Sequence, residues 1–386
     1  MQDIETIEIR SIVSPLLSPP QLHECKGEQL DVNTIPKKTF ITYKKESENK
    51  YNFYNGSESW EGKGEVFREL QGKNHFIPVK SNETLNEGYE RITTQSKELS
   101  EKSNGNINMR ITGNYPQTTK ELFEKTTDAA SHSAKMSEEE SEWIKKATTG
   151  GIIWAEKYEG LAQELDYESM YPTCMRKGEV LWPIGEGDFD YKQKLEDDIE
   201  YSIYHVSIQG QPKKKKDATC THLFRYNRDC YYTHFDIKRA RKIGLEVSLI
   251  NESPNALIYE RENCMTGEDM FGKWYDSLIE IKRGGGHSGK AAKELLVSLW
   301  GVLCEERNGK FYGPHPRIKP FLLAFVRKVI SETVQIFGEE VKRIHTDGFI
   351  ISNNEWHDLE FLQKNGLEIK KRGKCIVKNC NSVEWP

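Results

Sequence analysis

The sequence predicts a chain that mixes α-helices with β-strands, and three stretches carry that expectation. RIHTDGFIIS (Arg343–Ser352) sets Asp-Gly between two β-prone runs, a strong hairpin signal. HFDIKRARKIGLEVSLI (His234–Ile250) reads as a helix, a glycine stop at Gly244 and an alternating strand. GKAAKELLVSLWGVL (Gly289–Leu303) has the spacing of an amphipathic helix.

The remaining elements follow in order. Residues 1 to about 105 are rich in Lys, Glu, Asn, Ser and Thr; TFITY (Thr39–Tyr43) reads as a strand, and no chemistry rises above background there. From Asn106 to Ala147 the pattern is helical, with Leu122, Phe123 and Thr126 on one face of TTKELFEKTTDAA. Ser137 followed by Glu140 forms a capping box for SEEESEWIKKA, and Gly150-Gly151 ends the helical run. GLAQELDYESMYPTCM (Gly160–Met175) reads as a short strand entering a turn that ends in proline. WYDSLIEIK (Trp274–Lys282) fits either a strand or a helix, since Trp274, Leu278 and Ile281 sit at helical spacing. No internal repeat is present.

With 386 residues, 36% hydrophobic and 30% charged, the chain is long enough for two or three domains and a sizeable core. A net charge of -5 gives no global positive field. The basic residues are instead clustered: Lys213–Lys216; Lys238, Arg239, Arg241 and Lys242; Lys282, Arg283, Lys290 and Lys293; Lys370, Lys371, Arg372 and Lys374. Each cluster alone reads as a solvated face, yet local clusters bind phosphates on acidic proteins. The eight cysteines are scattered, without a signal peptide or an apolar run that would span a bilayer. That pattern predicts reduced thiols in an intracellular protein that does not engage a membrane. Cys220, His222, Cys230 and His234 are metal-capable types, but C-x-H followed by C-x-x-x-H matches no common zinc spacing.

RGGGHSGKAAKELLVSLWG (Arg283–Gly301) raises a separate question. Gly284, Gly289 and Lys290 match a phosphate-cradling P-loop, but Ala291 stands where a Ser or Thr would hold Mg²⁺. The bland alternative is a glycine hinge before an amphipathic helix.

Two carboxylates suggest other chemistry. Asp166 falls where a strand meets a turn, and Asp347 at the tip of a tight hairpin. Such positions aim two oxygens at one point, and two Mg²⁺ ions roughly 3.5–4 Å apart need a shared carboxylate pair to clamp an in-line phosphoryl transfer. Either Asp taken singly also reads as a turn-capping residue. Lys290, Lys293 and Val297 lie on one helix face with Trp300 one turn on, a face that offers cations to a triphosphate beside a helix N-terminus.

Together these segments resemble the family B DNA polymerases, and more closely their protein-primed viral and plasmid subgroup. The family's D-x-x-S-L-Y-P motif stands as Asp166-Tyr167-Glu168-Ser169-Met170-Tyr171-Pro172. Its K-x-x-x-N-S-x-Y-G motif stands as Lys293 to Gly301, with Ser298 kept, Val297 for Asn and Trp300 for Tyr. Its Y-x-D-T-D-S motif stands as Arg343 to Gly348, with Arg343 for Tyr, His345 for the first Asp and Gly348 for Ser. Gly150-Gly151 resembles the Y-x-G-G linker, and KKRGKCIVKN (Lys370–Asn379) falls at the primer-gripping position. The resemblance covers roughly Asn106 to Pro386.

The resemblance implies an α+β fold: a polymerase palm with an antiparallel sheet, inserted helical fingers, and a poorly defined N-terminal region. It divides the chain into 1–105, of unknown role; 106–165, a helical connector; 166–260, palm with an insertion that holds the basic segment Lys213 to Lys242; 261–305, fingers; and 306–386, palm with the second aspartate and the primer grip. Asp166 and Asp347 are implied as catalytic residues, and with the Tyr167 carbonyl as ligands of two Mg²⁺, or alternatively Mn²⁺. Tyr171 is implied to pack under the sugar. Lys282, Lys290, Lys293 and Ser298 would join Tyr167 and Tyr171 in the nucleotide site, and Lys374 and Lys378 would contact DNA. The implied partners are a primer–template and dNTPs, with a terminal protein or separate polymerase segments as further candidates. Exonuclease carboxylates are not found in residues 1–105, so no proofreading is expected; the chain stops soon after the primer grip, so a missing or minimal thumb, with lower duplex affinity and processivity, is expected. Three functions stay open: an active DNA polymerase, a catalytically weak remnant that binds nucleic acid, and a P-loop ATP-binding protein.

Overall fold

The computed structural model describes residues 35–65, 68, 73–129, 135–210, 219–352, 362, 364 and 366–386. The Lys213–Lys216 run and Cys25 lie outside these residues.

The first described unit is a four-stranded sheet of β1 (Phe40–Ser47), β2 (Lys50–Tyr54), β3 (Ser59–Gly62) and β4 (His75–Pro78), in the order β3-β2-β1-β4 with β4 parallel to β1. The strand expected at Thr39–Tyr43 is β1, and the poorly defined N-terminal region holds a sheet around it, closed by a small aromatic cluster around Phe53, Trp60 and Phe76. Helices α1 (Leu85–Lys102), α2 (Tyr115–Thr126) and α3 (Glu138–Ala147) follow, with a single helical turn at Met109–Thr112 between the first two. Thr84 and Glu87 close a reciprocal capping box on α1. At α3 only half of the expected box forms. Ser137 accepts from the Glu140 N–H, but the Glu140 carboxylate is buried and bound by Arg317 instead.

β5 (Ile153–Ala155) and β6 (Tyr158–Tyr167) come next, so β6 runs through the boundary placed at 165/166. Where a turn ending in proline was expected, Ser169 adopts φ +52° and α4 (Met170–Arg176) begins at once. Pro172 sits in its first turn, where a missing N–H costs nothing. β7 (Leu181–Pro183), β8 (Asp188–Asp190), β9 (Ser202–Gln209), β10 (Tyr231–Thr233), α5 (His234–Lys242), β11 (Glu246–Leu249) and β12 (Ala256–Ile258) build a second sheet in the order β10-β9-β12-β8, with β11 on β9 and β7 outside it.

β13 (Cys264–Thr266) pairs with β7 and leads into α6 (Gly267–Arg283), so the Trp274–Lys282 run is helical. Trp274, Leu278 and Ile281 are all buried on it. α7 (Gly286–Leu303) folds back along α6 after a turn in which Gly285 and Gly286 have φ of +66° and +69°. A Cβ on Gly289 would lie 2.9 Å from the Lys282 carbonyl oxygen. These glycines thus permit a tight helical hairpin, and no strand precedes them as a P-loop requires.

A short hairpin of β14 (Glu306–Arg307) and β15 (Lys310–Phe311) precedes α8 (Ile318–Phe337), whose Phe321, Phe325, Ile330 and Val334 enter the main core. The chain then forms β16 (Val341–His345), β17 (Gly348–Ser352), β18 (Leu367–Asn379) and β19 (Ser382–Glu384). With β5 and β6 they make a six-stranded antiparallel sheet, ordered β19-β18-β6-β17-β16-β5. Leu165, Ile344, Phe349 and Leu367 bury one face of it in the core shared with α8. No helix among the described residues is long and apolar enough to cross a membrane.

Candidate active site

The expected hairpin is present, with His345 paired to Gly348 and Thr346-Asp347 as its two-residue loop. Thr346 has φ +65°, costly for a β-branched residue, and its N–H donates to the Ile152 carbonyl at 3.1 Å. β17 pairs antiparallel with β6, which sets Gly348 opposite Asp166. The Tyr167 N–H donates to the Asp347 carbonyl at 3.2 Å. Two residues 181 positions apart by number thus share one strand end, because cross-strand register converts sequence distance into contact.

Burial raises the Asp166 carboxyl above its usual pKa, and the Asp347 charge raises it further. Lys370 opposes that shift, with Nζ 3.4 Å from Asp166 Oδ2. The sequence places Lys370 in a basic cluster and at the start of the primer-gripping stretch, with no sign that it meets Asp166. The β18–β6 ladder shifts register between Ile369 and Lys371, leaving Lys370 as the extra residue of a bulge. Bulges re-aim side chains beside active sites, and no local sequence signal marks this one.

The Tyr167 side chain turns to the opposite face, as strand alternation requires, where its hydroxyl bonds Thr333. Tyr171 stacks on Trp300 with ring centroids 5.7 Å apart and planes 16° from parallel. Burial, then the Asp347 charge, pushes its hydroxyl pKa up to about 12. Lys282 donates to Glu168 Oε1 at 2.7 Å and to Ser169 Oγ at 2.8 Å, tying α6 to the turn after Asp166.

Lys290 and Lys293 are exposed on α7 beside Val297, and no ion pair holds either among the described residues. Among the described residues no hydrogen bond or ion pair joins them to the aspartates. The first turn of α7 is already engaged: the Ser288 N–H donates to Glu98 Oε2 of α1 at 2.9 Å. Ser298 donates to the Glu294 carbonyl of its own helix at 2.6 Å. Lys374 and Lys378 lie on the outer β18–β19 hairpin; Lys374 is 3.6 Å from Glu159 and Lys378 pairs with Glu384.

The four metal-capable residues do not converge. His234 is buried against Tyr201 and Phe235, Cys230 is bonded to the Arg228 carbonyl, and no three His, Cys, Asp or Glu gather to hold a metal among the described residues.

Gly151 carries the hairpin tip. A Cβ there would lie 3.1 Å from Thr346 Cα, so any larger residue would push the hairpin tip back by a few tenths of an ångström. Its carbonyl accepts from Arg225 at 2.8 Å, and the Gly150 carbonyl from Arg327 at 3.1 Å. Arg327 is bidentate to Asp236, both buried.

The model of the family described as DNA polymerase type B, organellar and viral, matches residues 76–301, more than half of the chain. The chain belongs to that family. The match includes Asp166, Tyr171, Lys293 and Trp300, and stops before Asp347, which rests on the geometry above. Among solved structures, Phi29 DNA polymerase in complex with single-stranded DNA is similar at TM-score 0.52 and 16% identity, covering 71% of this chain and 52% of that one. The same polymerase in a ternary complex with primer-template DNA and incoming nucleotide substrates is similar at TM-score 0.53 and 17% identity, covering 71% and 54%. At this identity the likeness is one of fold: the type B polymerase palm with its antiparallel sheet and inserted helices. The chain spans about half the length of these structures. No curated protein matches it.

Proposed function

We propose that this type B polymerase chain is a template-directed DNA polymerase that adds deoxynucleotides to a primer 3′ end. The observation that carries the reading is the registered pair Asp166 and Asp347, close enough that one charge raises the pKa of the other. Two hard oxygen donors under mutual repulsion fit divalent cations. Asp166, Asp347 and the Tyr167 carbonyl would hold two Mg²⁺, with Mn²⁺ as the alternative. Bound there, the cations would supply Lewis acidity and charge stabilisation at the transferred phosphate.

In the reaction the primer 3′-oxygen bonds to the α-phosphorus, the bond to pyrophosphate breaks, and the hydroxyl proton passes to solvent. Tyr171, braced by Trp300, packs under the sugar. Lys290 and Lys293 neutralise the triphosphate from the open face of α7. Lys282 reaches the phosphates only by leaving Glu168, so its part is to link α6 to the aspartate strand until nucleotide arrives. Ser298 takes part through its place on α7, its hydroxyl being spent on Glu294. Lys374 and Lys378 meet DNA phosphates along the outer hairpin. The DNA and nucleotides in the Phi29 complexes support the same partner classes here; a terminal protein or further polymerase segments are additional candidate partners.

A second reading, a catalytically weak remnant that binds nucleic acid, is favoured by His345 at a carboxylate position and by the Lys370–Asp166 pair. Primer extension decides. The purified chain is given labelled primer–template, dNTPs and Mg²⁺ or Mn²⁺, beside Asp347→Ala. Extension by the parent with a loss of at least about 10³-fold in the variant supports the polymerase. Duplex binding without extension by either supports the remnant.

A further inference from the structure

Behind the Gly150-Gly151 linker lies a cavity of about 10 Å³, room for one water-sized guest, lined by Arg225, Arg239, Arg327, Lys328 and Asp236 among others. Its charges do not balance. Asp236 is taken by Arg327 through three contacts of 2.9–3.1 Å, and Lys328 is paired with Glu332. Arg239 is only 3% exposed and meets neutral acceptors alone: Ser331 Oγ at 2.7 Å, the Ser331 carbonyl at 3.1 Å and Gln335 Oε1 at 2.8 Å. Arg225 likewise meets the Gly151 carbonyl and Cys220 Sγ. Arg239 Nη1 and Arg225 Nε are each buried with no acceptor among the described residues.

Two guanidiniums with no carboxylate in hydrogen-bond contact line a space for one small guest, each with an idle N–H; Glu332, whose charge also acts on Arg239, is already bound by Lys328 and Lys242. A water would satisfy the donors and leave the charge standing. A small anion satisfies both, and burying an unpaired charge is the costlier fault. We propose that this cavity is a binding site for one monovalent inorganic anion of chloride size, held by Arg239 and Arg225. The other arms of Arg225 and the neighbouring Arg327 hold the Gly151 and Gly150 carbonyls. The bound anion therefore braces the linker on which Thr346 and the catalytic hairpin rest.

Two measurements on the full chain test this, neither using polymerase activity, so the outcome is independent of the function proposed above. Crystals grown in bromide are examined for anomalous scattering in the cavity, and the unfolding midpoint is compared in bromide or chloride against gluconate at equal ionic strength. Gluconate is too large to enter. The expected results are an anomalous peak between Arg239 and Arg225, and a midpoint higher by on the order of 2 °C in halide. Arg225→Gln, at a half-buried position that spares the core, should lose the halide dependence; Arg239→Met should lose it too if folded. A cavity holding water alone in bromide, or a midpoint indifferent to halide in the parent, overturns the proposal.

Discussion

At the residue scale, the two most informative groups titrate in opposite senses. Asp166 has its carboxyl pKa raised in the folded state, by burial and by Asp347. Between the unfolded value and that raised value the folded chain binds more protons, so metal-free stability falls as pH rises through the window. Asp166→Asn removes the titrating group while keeping its shape. In EDTA at pH 7 it should unfold at a higher temperature than the parent; in Mg²⁺ the parent should gain and the variant should not. Equal midpoints in EDTA would refute the strained pair. His315 behaves inversely. It is 2% exposed beside Phe123, neither ring nitrogen has a partner among the described residues, and burial followed by Arg317 pulls its pKa down to about 4. Its contribution to stability is complete above the unfolded value near 6.5 and is lost as pH falls toward the folded value. His315→Phe should flatten the acid side of the stability curve between those limits, as urea titrations at several pH values would reveal.

At the element scale, the hairpin that carries Asp347 depends on a neighbour outside its own sheet pairing. Thr346 occupies a left-handed conformation, and Gly151 leaves just enough space against it. Gly151→Ala should cost about 1–3 kcal/mol through the forced shift of Thr346. It should also depress primer extension more than it depresses DNA binding. Thr346→Gly relieves the local strain and should restore part of the stability when combined with Gly151→Ala. Additive losses in the double variant, measured by chemical unfolding, would mean the two residues do not press on each other. The helical hairpin α6–α7 shows a parallel dependence. Its glycines mimic a phosphate loop in sequence, yet their role is close helix approach, and Glu98 occupies the first turn of α7.

At the scale of the whole molecule, buried ion pairs join distant segments. Arg317 and Glu140 tie α8 to α3, with Tyr259 donating to the same carboxylate at 2.9 Å. Arg327 and Asp236 tie α8 to α5 and to the glycine linker. Removing one member leaves a buried charge unpaired, so Arg327→Met should destabilise by about 3–5 kcal/mol. Asp236→Asn combined with Arg327→Met should recover much of that loss. A double variant as unstable as the sum of the singles would show that the pair acts through packing alone.

Much of the local order was legible in the chain. Turn chemistry acts over a few residues, so Asp-Gly marked the β16–β17 hairpin and Gly244 the end of α5. Apolar spacing acts over one or two turns, so the buried face of α7 could be read while the Trp274–Lys282 run stayed ambiguous until α6 packed against its neighbours. The aspartate pair was legible because each Asp sits in a motif of fixed order. Lys370, Glu98, the Arg327–Asp236 pair and the retasked Glu140 were not. Each depends on a register, a bulge or a helix contact between segments up to 204 residues apart, the separation of Lys370 from Asp166. Those arrangements follow from burying apolar faces collectively, which no short window of sequence expresses. The sequence by itself determined the chemical groups and the local turns that present them; the tertiary structure decided which charges face the site and which are spent holding it in place.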